Sequence, residues 1–210
     1  MDVHPAHHAP RTWRDFFLEL LMITIGLFIA LTLQAGVESF HHRHLVRDAR
    51  ENLRHEIESN HQRYEENVRN LDKNRRQLAN DIDQLRDLRS GKPIDKAALT
   101  WGWAWNSYND ASWKTARETG AVSYMNSDLI NGYILVYFQQ EYVNTQAIAI
   151  VNDEPKAAAP LRIAKDPSAL SPSDIQSMLI SLAETDIKLA TLQTVMESLD
   201  KMYSEAMQSM

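Results

Sequence analysis

A chain of 210 residues with a net charge of −6 and no cysteine offers no basic footprint for nucleic acid, no disulfide, no thiolate metal site and no cysteine nucleophile. Its six glycines and seven prolines are few breaks for that length, which favours long helices over many short strands.

Residues 1–12 form a tail with His4, His7 and His8. "DFFLELLMITIGLFIALTLQ" follows, and from Phe16 to Leu33 its only ionisable side chain is Glu19. At about 1.5 Å rise per residue that run covers roughly 27 Å, against a hydrocarbon core of about 30 Å. We read residues 13–36 as a transmembrane helix. The run is longer than a signal-peptide core and no A-x-A-like site follows it, so an uncleaved signal anchor is expected. Trp13 and Phe16 suit one lipid interface, and Phe40 with its neighbouring histidines suits the other. Glu19, one turn inside the helix, either snorkels to the headgroups near the positive helix end or contacts a partner helix. Gly26 and Ala30 are a small-xxx-small pair that lets two membrane helices approach closely. Arg43, Arg47 and Arg50 outnumber Arg11 and Arg14, which slightly favours a cytoplasmic C-terminal side. The layout of short tail, apolar run and long domain favours the reverse, and we expect residues 37–210 in the periplasm.

From 37 to 90 one long helix is predicted, since Val46, Ala49, Leu53, Ile57, Tyr64, Val68, Leu71, Leu78, Ile82 and Leu85 recur mostly at steps of 3, 4 or 7. Asn60 and Arg75 share that stripe. "SGKP", with Gly91 and Pro93, ends it. Short helices are predicted over 96–105, capped by Asp95, and over 110–119, started by Asn109 or Asp110 and stopped by Gly120. Asn126 caps a helix over 127–152 that is apolar nearly all round, as for a helix central in a bundle. Pro155, Pro160 and Pro167 suggest a linker over 153–171. "SPSD" opens a last helix over 172–208, with Ser171 as N-cap. Its seam reads Ile175, Met178, Leu182, Leu189, Leu192, Met196, Leu199, Tyr203 and Ala206, with Asp186 as its charged slot. The fold class expected is all-α: a transmembrane helix continuing into a long helix that packs in an antiparallel bundle spanning 37–210.

The anchor and the charged helix after it carry Glu19, Ile25, Gly26, Ile29, Ala30 and Leu31, then Leu53, Glu56, Ile57 and Asn60. In this the chain resembles a widespread group of uncharacterised bacterial single-pass membrane proteins, whose anchor reads E-hydrophobics-I-G-x-x-I-A-L and whose next helix ends in L-x-x-E-[LI]-x-x-N. "WKTARETG", Trp113 to Gly120, is similar to a W-x6-G segment in some members. The resemblance implies an inner-membrane anchor with most of the chain outside the cytoplasm. It implies no activity.

"WGWAWNSYNDASW" gathers Trp101, Trp103, Trp105, Tyr108 and Trp113. Such aromatics either cap the bundle core or line a pocket or partner surface. Lys114 and Arg117 are too few to make a nucleic-acid stacking platform. His41 and His44 sit at i,i+3, yet no carboxylate or cysteine completes a metal signature, and interfacial or solvated histidines are expected. There is no H-E-x-x-H, G-x-S-x-G or phosphate-cradling glycine loop. The sequence therefore predicts a non-enzymatic interaction, scaffold or accessory subunit without cofactor. Its expected partners are the lipid bilayer and either a second copy or another membrane protein. The alternative is a sensor-like extracytoplasmic bundle that binds a small ligand near its tryptophans.

Overall fold

The structure is a computed structural model and describes residues 12–94, 99 and 102–209. The tail through residue 11 lies outside the described residues, as do Asp95, Trp101 and most of the first half of the predicted 96–105 helix. All regular structure among the described residues is helical: α1 (Trp13–Arg89), α2 (Ala111–Glu118), α3 (Ser127–Ala164) and α4 (Pro172–Ser209). Single tight helical turns lie at Ala121–Tyr124 and Pro167–Ala169. The chain divides into two compact units, Met1–Asp48 and Ala49–Met210.

The first unit holds the apolar part of α1. This is the one helix among the described residues long and apolar enough, by length and composition, to cross a membrane. Its large side chains point outward, from Phe16 and Leu20 to Phe28 and Leu33. Its hydroxyls are consumed locally: Thr24 Oγ1 donates to the Leu20 carbonyl at 2.8 Å and Thr32 Oγ1 to that of Phe28 at 3.0 Å. No hydroxyl is thus left seeking water along this stretch.

In the second unit the apolar stripes are buried as the helical period requires. Leu53, Ile57, Leu71, Leu78 and Leu85 of α1 are buried, and so are all nine predicted seam positions of α4. Asp186 is exposed; Thr185, half-buried one position earlier, continues the stripe between Leu182 and Leu189. A capping box starts α4. Asp174 N donates to Ser171 Oγ at 3.1 Å, and Ser171 N donates to Asp174 Oδ2 at 3.1 Å. The Ser171 hydroxyl bond holds the Asp174 carboxyl below its ordinary value. Hydrogen bonds set the order of the long helices. Tyr137 pairs with Glu56 and Gln140 with Asn60, so numbers rise together along α1 and α3. Arg75 pairs with Gln193, Arg89 with Gln176, and Gln139 with Val195.

Three expectations need correction. Residues 102–110 are not helical. The segment is held straight by side chains from elsewhere, as described below. The 153–171 linker is mostly helix, since α3 runs to Ala164 through Pro155 and Pro160. An interior proline costs about 3 kcal/mol, offset here by burial of Ala157 and Ala158 after Pro155 and of Leu161 after Pro160. Its true end is Lys165, a left-handed residue (φ 65°) whose N–H reaches the Leu161 carbonyl. Finally, α3 is not covered all round. Tyr133, Val136, Tyr137, Val143 and Ile150 are buried, whereas Ile134, Leu135, Phe138, Tyr142 and Ile148 are exposed.

Candidate functional site

The polar side chains that matter most sit on the buried stripe of α1. Asn60, Asn67, Asn74 and Asp81 recur at strict seven-residue spacing, so they line one face of the helix. Asn60 grips the backbone of Asn109 twice: its Nδ2 donates to the carbonyl at 2.7 Å, and its Oδ1 accepts the N–H at 2.8 Å. Asn67 grips Asn106 in the same way, at 2.9 Å for both bonds. Between them Arg63 donates to the Ser107 carbonyl at 2.6 Å. Seven helical residues rise about 10.5 Å, and three extended residues about 10 Å. The two spacings therefore match, and residues 106–109 run as an extended strap along α1. From the α3 side Asn144 Oδ1 accepts from Trp105 Nε1 at 3.1 Å and from Tyr108 N at 3.3 Å. An extended segment without sheet partners must find its hydrogen bonds somewhere, and here asparagine side chains supply them.

Glu56 completes the column. Its Oε2 accepts Ser112 N at 2.8 Å, and its Oε1 accepts Trp113 N at 3.4 Å and the Tyr137 hydroxyl at 2.8 Å. The expected side-chain cap of α2 is shared with it: Asn109 Oδ1 accepts Ala111 N at 3.3 Å. Asp110 is the N-cap but makes no side-chain cap bond, and a carboxylate 56 residues before Ser112 serves the next two amides of α2, where the helix dipole favours negative charge. Burial first, and then the Glu56 carboxylate, raise the Tyr137 hydroxyl far above the ordinary tyrosine value, so it remains a donor. Trp113 lies flat against Tyr137, ring centres 5.4 Å apart and planes within 7°. Gly120 closes α2 at φ 75°, the left-handed region that glycine enters without strain.

No family model, curated protein or solved structure matches this chain. The site must therefore be judged on its own geometry.

The predicted tryptophan cluster separates into parts with different surroundings. Trp101 lies outside the described residues. Trp103 is half-buried and lines a cavity of about 60 Å³. Trp105 is held by Asn144, and Tyr108 is buried. Trp113 lines a groove of about 810 Å³ between α2 and α3, with Lys114, Arg117, Ile134, Phe138 and Ile148. Arg117 sits over the Trp113 ring at 6.0 Å from its centre. In the first unit, Glu19, Gly26 and Ala30 are all exposed, and a Cβ added to Gly26 would meet no atom within 4 Å. The histidines after Phe40 meet local carboxylates: His44 Nδ1 lies 3.1 Å from Asp48 and His42 Nε2 4.0 Å from Glu38. Among the described residues no three His, Cys, Asp or Glu side chains converge as a metal set.

The buried Glu56, Asn67, Asp81 and Gln140 escape a search for apolar periodicity. The detectable signal was the seven-residue repeat of Asn60, Asn67, Asn74 and Asp81 on a stripe otherwise filled by leucine and isoleucine.

Proposed function

We propose that the protein is a single-pass membrane-anchored helical bundle that acts, without enzymatic activity, as an interaction, scaffold or accessory subunit. It sits in a bacterial inner membrane with residues 37–210 in the periplasm. The three long helices form one bundle, with α4 antiparallel to α1 and α3.

The observation that carries this is the open apolar face of α3 beside α2. Ile134, Phe138 and Ile148 are 46%, 68% and 48% exposed and line one groove of about 810 Å³. Contiguous apolar surface bordered by Lys114, Arg117 and Glu141 has the character of a protein-docking site. The buried polar groups support a non-enzymatic role, because Glu56, Asn60 and Asn67 spend their hydrogen bonds on this chain's own backbone. The apolar outward face of α1, with Gly26 and Ala30, supports membrane insertion and contact with a second copy or another membrane protein. The short tail, apolar run and long domain support the orientation. Membership of the group with the L-x-x-E-[LI]-x-x-N helix is also proposed. Leu53 and Ile57 are buried, and Glu56 and Asn60 hold the segment that leads into Trp113, so the residues of both motifs serve one structure.

The test is a photo-reactive residue placed at Phe138 in native membranes, with one at the exposed Ala183 of α4 as control. A discrete cross-linked species is expected from position 138 alone, and its mass distinguishes a second copy from another protein. Equal labelling at both positions, or none at 138, refutes the docking face.

A further inference from the structure

Asn74 and Trp103 stand where the next rung of the ladder would fall, seven residues beyond Asn67 and three before Asn106. In place of a clamp there is the cavity of about 60 Å³, which both residues line. Asn74 Nδ2 and Trp103 Nε1 are shielded from solvent, and neither has a hydrogen-bond partner among the described residues. Buried donors left unmade are costly, so this cavity calls for an acceptor. A water needs about 10–15 Å³ of such space. The cavity therefore holds about four to six waters, or one organic molecule of about five non-hydrogen atoms. The described residues that line it include two carboxylates, Asp81 and Glu154, and no basic side chain. Asp81 is 2% exposed and accepts from Gln77 Nε2 at 2.9 Å. Ile150, Leu182 and Leu189 give an apolar wall.

We propose that this cavity binds a small organic cation that also carries a hydrogen-bond acceptor, of the size of a simple amino alcohol. The ammonium group faces Glu154, and the oxygen accepts from Asn74 and Trp103. This goes beyond the docking face and does not depend on it.

The test uses the full chain in detergent micelles, titrated at matched pH and ionic strength with ethanolamine, ethylene glycol and glycolate. These three are alike in size and differ in charge. Ethanolamine at about 100 times its Kd should raise Tm by about 5–10 °C, with the other two leaving it unchanged. Trp103→Phe keeps the ring and removes the N–H, so it should weaken ethanolamine binding about three- to tenfold. Glu154→Gln should weaken it as well, and serves if the tryptophan variant does not fold. An equal shift from glycol or glycolate overturns the proposal. So does a flat Tm with all three, which would leave a water-filled cavity, or unchanged affinity in a folded variant.

Discussion

Replacing Glu56 by alanine removes the acceptor for two short bonds, from Ser112 N and the Tyr137 hydroxyl at 2.8 Å each, and for one long bond from Trp113 N at 3.4 Å. A hydrogen bond to a charged group contributes about 1.5–3 kcal/mol, and the long one adds little. The expected loss is about 3–6 kcal/mol, which for a chain of this size lowers Tm by about 6–24 °C. Glu56→Gln keeps one acceptor oxygen but turns an NH₂ toward donors, and should cost about 2–3 kcal/mol. Tyr137→Phe alone should cost about 1.5–3 kcal/mol and much less on the Glu56→Ala background, because its partner is already gone. Thermal unfolding of the full chain in micelles, followed by circular dichroism, reads all four variants. Hydrogen exchange at the amides of Ser112 and Trp113 reads the cap directly. A Tm change under about 2 °C for Glu56→Ala, or unchanged protection of those two amides, would refute the assignment of Glu56 as the cap of α2.

Asn67→Leu strips partners from both backbone groups of Asn106 and gains apolar burial of about 1.5–3 kcal/mol. Since each buried orphan costs about 1–3 kcal/mol, net destabilisation with faster proteolysis between residues 102 and 109 is expected, measured by unfolding and limited digestion. Lys188 first, and then Lys156, hold the Asp153 carboxyl below its ordinary 3.8, so its contribution is fully present above that value and is lost as pH falls through the depressed one. Asp153→Asn should therefore cost under about 1 kcal/mol near neutrality, as suits an exposed pair, with the gap to the native protein closing in acid below pH 3.8; a gap that widens in acid would contradict the sign. Alkaline phosphatase fused after Met210 should be active, because it needs an oxidising compartment for its disulfides, and a fluorescent protein that folds only in the cytoplasm should be dark; the reverse pair would place residues 37–210 inside the cell.

The sequence disclosed what depends on near neighbours. The nine buried positions of α4 lie three, four or seven residues apart, and Ser171 caps through Asp174 only three residues away. Gly120 and Asn126 likewise act within their own turns. What stayed hidden depends on distant partners. Glu56 looks like one more charge on a charged helix until Ser112 and Tyr137 arrive. The segment around Trp103 and Trp105 looked helical because a candidate cap preceded it, yet its shape is imposed by Asn60, Asn67 and Asn144. Pro155 and Pro160 signalled a break on local grounds, and the burial of Ala157 and Ala158 between them and of Leu161 past both carried the helix onward. The candidate site was legible only as a run of aromatics. Its division into a cavity at Trp103 and a groove at Trp113 arises from α1 and α3, which the run itself does not mention.

The asparagine ladder also sets an exchange rate between two lengths. Rung to rung, α1 spends seven residues while the strap spends three, from Asn60 and Asn109 to Asn67 and Asn106. One residue inserted into α1 between rungs turns everything beyond it by about 100°, taking Asn67 off the strap and carrying the leucine stripe with it. Only a paired change, seven residues in the helix with three in the strap, restores both faces. Evolutionary drift in the length of this region is therefore quantised, and relatives of this protein should differ here by whole rungs, with N-x6-N in the helix counting the number of N-x2-N steps in the segment that leads to Trp113.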